Sequence, residues 1–327
     1  MAESIGRNLG FDLVRVTESA ALASARWQGR GDKNAIDHAA VEAMRYVLQY
    51  VPMDGIVVIG EGEKDEAPML YIGEQIGTGD SPKVDVAVDP VDGTTLLSKG
   101  LNNAISVVAL SSRGSMFNAP GIVYMDKIAV GPSAKGCVHL DAPVKENLHA
   151  VARCKRLPIS EITVVILDRP RHEDLIRQVR EVGARIKLIE AGDIAGAMMT
   201  ALDGTGVDIL MGVGGSPEAV ITACALKCLG GEIQCRLYPR NEEEKHKATA
   251  AGFDVNKILT IDDLVSDDDV FLSLTGITSG ELVRGVRYTR RGADTESLMM
   301  RSRSGTIRRI EASHNFDKLT RITSVPY

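Results

Sequence analysis

Three segments decide the fold: Ile162-Thr-Val-Val-Ile-Leu167, Arg185-Ile-Lys-Leu-Ile189 and Val207-Asp-Ile-Leu-Met211. Each is short and rich in Ile, Val or Leu, which suits a strand. Each leads into a helical pattern, over Glu173 to Gly183, Ile194 to Leu202 and Pro217 to Leu229. Three consecutive strand–helix units predict a largely parallel sheet covered by helices.

Outward from this core the rhythm changes. The Pro/Gly/Lys-rich stretch from Pro132 to Leu157 is expected to hold a further strand. It also marks a candidate boundary between domains at 1–157 and 158–327. Before it, Lys127 to Val130, Ala104 to Leu110 and Gly55-Ile-Val-Val-Ile-Gly60 read as strands. Lys83-Val-Asp-Val-Ala-Val-Asp89 alternates strictly, with Val84, Val86 and Val88 on one face. The first fifty residues read as two helices broken at Gly29-Arg-Gly31, the second capped by Asp32. After the core, Arg240 to Lys247 reads as a solvated helix face, and the last sixty residues are strand-rich.

Composition removes several functions. The chain has 327 residues, 25% charged and 44% hydrophobic, as an ordinary folded protein does. Lys plus Arg is 38 against 44 Asp plus Glu, so the net charge is −6. A negative chain without a basic stripe is a poor nucleic-acid binder. At 4% aromatics it has little to stack bases on. No uninterrupted apolar run exceeds four residues, so no membrane-spanning helix is expected. Met1 to Arg7 has no signal-peptide core, and the five cysteines lack a Cys-x-x-Cys pair. Small buried thiols and a cytoplasmic location are the expectation.

The carboxylates are uneven. Glu61, Glu63, Asp65, Glu66, Glu74, Asp80, Asp85, Asp89 and Asp92 crowd into residues 61–92, more than twice an even spread. Glu63, Glu66, Glu74 and Asp80 read as an acidic surface loop. Asp89 is different. It precedes Pro90-Val-Asp-Gly-Thr94, where Pro90 is expected to stop the strand and Gly93 to allow a sharp turn. That turn can bring Asp92 beside Asp89, and two close carboxylates repel unless a proton or a cation lies between them. Their hard oxygens suit Mg²⁺ or Mn²⁺, although Asx-turn chemistry alone would also explain the pattern. Asp37 lies at the edge of an apolar helix stripe. Glu61 ends a strand as Asp89 does, so a parallel pairing would aim both into one crevice.

Anion binders follow the three strands of the core: Asp168-Arg-Pro-Arg171, Ala191-Gly-Asp193 and Gly212-Val-Gly-Gly-Ser-Pro-Glu218. Turns on one edge of a parallel sheet converge, and arginines beside a Gly-rich helix start can cradle phosphate. The glycine spacing fits neither a dinucleotide fingerprint nor a P-loop. Glu218 reads either as compensation of the helix dipole or as a metal ligand. Carboxylates facing a phosphate site describe phosphoryl transfer, and with no nucleotide motif, transfer to water.

The full set resembles the class II fructose-1,6-bisphosphatases, within the lithium-sensitive sugar and inositol phosphatases. The matching stretches include Arg15-Val-Thr-Glu-Ser-Ala-Ala-Leu22, Gly29-Arg-Gly-Asp-Lys33, Val58-Ile-Gly-Glu-Gly-Glu63, Ala67-Pro-Met-Leu-Tyr71 and Asp89-Pro-Val-Asp-Gly-Thr94. They continue through Asn118-Ala-Pro120, Tyr124-Met125, Arg169-Pro-Arg-His172, Gly192-Asp193, Gly212 to Glu218, Thr275-Gly-Ile277 and Arg308-Arg-Ile310.

The resemblance implies a layered α/β fold, helices sandwiching two sheets, with the site at their junction and most metal ligands in the first domain. It implies Asp37 and Glu61 on one metal, and Asp89, Asp92 and Glu218 on a second, the metal being Mn²⁺ or Mg²⁺. Thr94 would orient the attacking water, with Asp65 assisting. Asp92, Gly93, Thr94, Tyr124, Arg169, Pro170, Arg171, Ala191, Gly192, Asp193 and Gly215 would meet the sugar bisphosphate. In-line attack of a metal-bound water on the 1-phosphate is the mechanism implied, and a homo-oligomer the assembly. Asp92 replaces the Glu of some members, and Ala191 the Asp of several, which removes one polar contact to the sugar. The alternatives are an enzyme that also acts on sedoheptulose 1,7-bisphosphate, another sugar phosphatase, a silent phosphosugar sensor, and a nucleotide-dependent oxidoreductase.

Overall fold

The described residues open with two long helices because apolar residues recur at helical spacing there. α1 (Leu9–Ser24) buries Leu13, Val16, Ala20 and Ala23. α2 (Lys33–Leu48) buries Ile36, Ala40, Met44 and Leu48, and its N-cap Asp32 accepts the Ala35 N–H at 3.0 Å. The computed structural model describes residues 9–62, 69–119, 121–321, 323 and 325.

Along the chain follow β1 (Asp54–Ile59), β2 (Gln75–Ile76), β3 (Lys83–Asp92), α3 (Thr94–Lys99), β4 (Ile105–Ser112), β5 (Tyr124–Val130) and α4 (Val144–Lys155). The core then runs β6 (Thr163–Leu167), α5 (Glu173–Val182), β7 (Arg185–Ile189), α6 (Asp193–Met199), β8 (Ile209–Gly215) and α7 (Ser216–Leu229). After it come β9 (Glu232–Leu237), α8 (Glu242–Ala250), α9 (Ile261–Leu264), β10 (Phe271–Gly276), β11 (Arg287–Thr289), β12 (Gly292–Arg301), β13 (Thr306–Asn315) and α10 (Phe316–Leu319).

The chain divides into two compact units. Residues 1–116 and 267–327 form one, and residues 117–266 form the other. This differs from a division at 157, because β10 to β13 return to the sheet that the first hundred residues begin. Among the described residues the architecture is α/β with two mixed sheets.

The first unit holds an eight-stranded sheet in the order β11-β12-β10-β4-β3-β1-β2, with β13 along β12. β1 and β3 are parallel neighbours, Ile59 pairing with Ala87. Pro90 does not stop β3. The strand runs on to Asp92 through a register shift against β4, where Asp89 faces Val107 and Asp92 faces Ile105. α1 packs on this sheet, and Thr17 Oγ1 bonds Thr275 Oγ1 at 2.7 Å inside the core. Glu74 is not a surface acid either: it is buried and paired with Arg45 at 2.7 Å.

The second unit holds a five-stranded sheet, β7-β6-β8-β5-β9. β6, β7 and β8 are parallel as the rhythm predicts, while β5 and β9 are antiparallel and make the sheet mixed. Its core gathers Ile128, Val130, Leu148, Val151, Val164, Ile166 and Ile209. The Pro132 to Leu157 stretch contains α4 and no strand among the described residues. The cysteines also depart from expectation. Cys137 and Cys154 are disulfide-bonded, and Cys224, Cys228 and Cys235 are buried thiols outside that bond. No described helix is long and apolar enough to cross a membrane.

Candidate active site

The ends of β1 and β3 set out the first group of carboxylates. Glu61 lies two residues beyond Ile59, and Asp89 two beyond its partner Ala87. The parallel pairing therefore carries both side chains to one end of the sheet, as the strand pattern suggested. Asp89 Oδ1 accepts the Val91 N–H at 3.1 Å, so the Asx turn is present as well. Gly93 then turns the chain at φ +101°, a backbone region that L side chains rarely adopt. The turn launches α3, with Thr94 as its first residue.

Thr94 connects the turn to α2. Its Oγ1 donates to Asp37 Oδ1 at 2.9 Å and lies 3.2 Å from the Val91 carbonyl. One hydroxyl proton faces two acceptors, so the oxygen's lone pairs stay available. Burial pushes the Asp37 carboxyl above the usual carboxylate range, opposed by the Thr94 hydrogen bond and the charge of Lys33. Lys33 itself donates to Thr95 Oγ1 at 2.8 Å, which gives this lysine a place beside the turn. Asp65 lies outside the described residues.

In the second unit the carboxyl ends of β6, β7 and β8 share one edge. Tyr124 opens β5 opposite Gly215, at that same edge. Arg169 donates to the carbonyls of Asp168 at 2.9 Å and Glu190 at 2.6 Å. Arg171 donates through Nε and Nη2 to the Val213 carbonyl, and its guanidinium stands 5.0 Å from the Tyr124 ring centre. Carbonyls orient these two arginines without neutralising them. Each retains three of its five N–H donors. Pro170 opens the short turn between them, and Gly192 caps α6, whose first residue is Asp193. Arg169, Pro170, Arg171, Tyr124, Ala191, Gly192, Asp193 and Gly215 are thus collected on one sheet edge.

Two residues near this edge, one of them inside a matching stretch, were given no role by the sequence. Lys127, on β5, is buried, and its Nζ donates to Asp193 Oδ2 at 2.6 Å. Burial works against the ammonium, yet the charges of Asp193 and Glu218 hold its pKa above the ordinary value. His172 follows Arg171. Its Nε2 accepts the Val213 N–H at 2.8 Å, so Nδ1 carries the proton and donates to the Leu167 carbonyl at 2.7 Å. A lysine in an apolar strand and a histidine after a Pro-Arg turn have no spacing that marks them.

Glu218 sits in the first turn of α7 and is half-buried, with its Oε2 atom shielded from solvent and accepting no hydrogen bond. Burial pushes its carboxyl above the usual range, nearby Asp193 adds to the shift, and Lys127 opposes it. A Cβ at Gly215 would meet the Glu218 carboxylate, so any larger residue there would push that side chain aside. Among the described residues, no group of three or more His, Cys, Asp or Glu side chains is gathered to hold a metal. The donor chemistry nevertheless fits a hard divalent cation. The first unit offers Asp37, Glu61, Asp89 and Asp92, all carboxylates, and the second offers the orphaned oxygen of Glu218.

Comparison with known proteins gives the same direction. Residues 7–314 match the family described as "Bacterial fructose-1,6-bisphosphatase, glpX-encoded". A Haemophilus influenzae protein, "Fructose-1,6-bisphosphatase class 2", is 43% identical over 98% of this chain and 100% of its own length. Two Synechococcus proteins, each named "D-fructose 1,6-bisphosphatase class 2/sedoheptulose 1,7-bisphosphatase", are 45% identical over 94% of this chain and 96% of theirs.

Proposed function

The chain belongs to the bacterial class 2 fructose-1,6-bisphosphatase family, and from that premise we propose how its residues divide the reaction. The enzyme hydrolyses the 1-phosphate of fructose 1,6-bisphosphate to fructose 6-phosphate and phosphate, a step of gluconeogenesis. The observation that carries the reading is the Thr94 hydroxyl bonded to Asp37 at the Asp89–Thr94 turn. Because its proton is committed to a carboxylate, Thr94 Oγ1 accepts a hydrogen bond from the attacking water. That bond fixes the water's direction toward phosphorus, a near-attack arrangement.

Asp37, Glu61, Asp89 and Asp92 of the first unit, and Glu218 of the second, would hold divalent cations, Mn²⁺ or Mg²⁺. When bound, such cations neutralise developing charge and acidify water. The amides of the Gly93 turn and the α3 start offer N–H donors to the reacting phosphate. Asp65 is retained as an assisting group on the strength of the resemblance alone.

Arg169 and Arg171 bind the remote 6-phosphate, each with N–H donors left over from its carbonyl contacts. Their contribution is orientation of the reacting end. Tyr124 and the Ala191–Asp193 turn meet the sugar. Lys127 holds Asp193 by one oxygen, which leaves the other to accept a sugar hydroxyl. Ala191 supplies no side-chain hydrogen bond there. A cytoplasmic location, alongside the phosphorylated-sugar substrate, and a homo-oligomeric assembly are what we expect.

Phosphorus NMR of the product tests this division. Fructose 6-phosphate is the expected product, and accumulation of fructose 1-phosphate would reverse the assignment of the two phosphate sites. A second reading, action on sedoheptulose 1,7-bisphosphate as well, is favoured by the names of the two Synechococcus relatives. Comparable turnover of both bisphosphates would establish it.

A further inference from the structure

The Arg308-Arg-Ile310 stretch has no part in the reaction above, and the two arginines face opposite ways. Arg309 donates to the Leu282 carbonyl at 2.9 Å and pairs with Glu296. Arg308 has no hydrogen-bond or ion-pair partner among the described residues, and it lines a cavity of about 580 Å³ in the first unit. That volume is within the range of small-ligand sites.

Cross-strand pairing builds this cavity. Phe271 faces Arg301, Arg301 faces Thr306, and Met299 faces Arg308, so three strands present these side chains on one side of the sheet. Phe11 of α1 forms an apolar wall and is 54% exposed. The hairpin after β12 adds Arg303 and Ser304.

The polar lining consists of guanidinium and hydroxyl groups, with no carboxylate among them. Behind it, Asp269 holds Arg301 in a two-point pair, Nε to Oδ1 at 2.7 Å and Nη2 to Oδ2 at 2.6 Å. Arg303 reaches only 3.7 Å from the same carboxylate. Two of the three guanidinium groups thus share one carboxylate, and Arg308 meets none among the described residues. A second cavity of the same unit, about 660 Å³, shows the contrast. There Arg284 and Arg287 are neutralised by Glu296, Glu311 and Asp294. The first cavity is donor-rich and positive, with an apolar wall of Phe11, Phe271 and Met299.

We propose that this cavity binds a small organic phosphate or phosphonate dianion, its charged end on Arg303 and Arg308 and its apolar end against Phe11 and Met299. Fork-shaped guanidinium donors match such an anion. Arg301, fixed by Asp269, supplies a rigid edge to the site.

Phenylphosphonate, which the enzyme cannot hydrolyse, is the probe. It is titrated calorimetrically into the wild type and into the double variant R303A/R308A. Both substitutions remove exposed side chains outside the reaction site, so fructose 1,6-bisphosphate turnover should stay unchanged and report an intact fold. Any binding at the reaction site is common to both proteins, so the difference isolates the cavity. The expected result is at least about tenfold weaker binding at one site in the variant, as lost charge-assisted hydrogen bonds imply. Identical isotherms for the two proteins, or no binding to the wild type, would overturn the proposal. Methylphosphonate should bind the wild type more weakly than phenylphosphonate. Equal binding of the two probes would overturn the apolar half of it.

Discussion

Thr94 makes the most testable single contact in the molecule. Removing its hydroxyl in Thr94→Ala leaves Asp37 without its partner and the attacking water without its acceptor. We expect KM to change little and kcat to fall by about 100-fold or more, the scale of a positioned acid–base partner. Unchanged turnover would remove Thr94 from the reaction. Lys127 is a different case, since its ammonium sits buried between Asp193 and Glu218. Lys127→Met keeps the volume and strands two carboxylates. The expected loss is about 3–5 kcal/mol of stability, as for breaking a buried ion pair. Urea unfolding measures it, and a loss below about 1 kcal/mol would mean that the pair is solvated. His172 links stability to pH. Burial lowers its pKa in the folded chain, opposed by the Leu167 hydrogen bond. A depressed folded value means that its stabilisation is complete above the unfolded pKa of about 6.5. It is lost as the pH falls from there through the folded value. Between about pH 8 and about pH 5, wild type should therefore lose more stability than His172→Gln. Equal losses would contradict the assigned neutral tautomer.

At the scale of elements, the strands and their ends carry the site. Parallel pairing of β1 with β3 places Glu61 level with Asp89, and the shift at Asp89–Asp92 lets β3 continue past Pro90. Gly93 is the pivot. Gly93→Ala forces a side chain into φ +101° and should cost about 1–3 kcal/mol along with most of the activity. A variant with wild-type stability and rate would mean that the turn is plastic. Much of this was legible. Val84, Val86 and Val88 alternate, and the three strand–helix units repeat, so burial wrote both periods into the sequence. α4 was not legible, because its buried Leu148, Val151 and Ala152 are embedded among charged residues in a Pro/Gly-rich context. The cysteines were misjudged for a related reason. Cys137 and Cys154 are separated by 17 residues, and only the fold of α4 brings them together. Thiol titration of the denatured, unreduced chain should find three free thiols, and five would contradict the pairing.

For the whole molecule, the chain order hides the division into units. The first unit is closed by the last strands, so a boundary drawn along the sequence cannot reproduce it. Lys127 was missed because a lysine in a strand normally reads as exposed. Glu61, Asp89, Arg169 and Arg171 stood out as candidates because they follow or end strands beside Gly and Pro, whereas Asp37 lies inside α2. The central claim is a metal-assisted sugar-bisphosphate phosphatase. Phosphate release from fructose 1,6-bisphosphate tests it most directly, measured with Mn²⁺, with Mg²⁺ and after chelation. One phosphate per sugar is expected with at least one of the two metals, and none after chelation. Release that persists unchanged in chelator, or no release with either metal from folded protein, would contradict it.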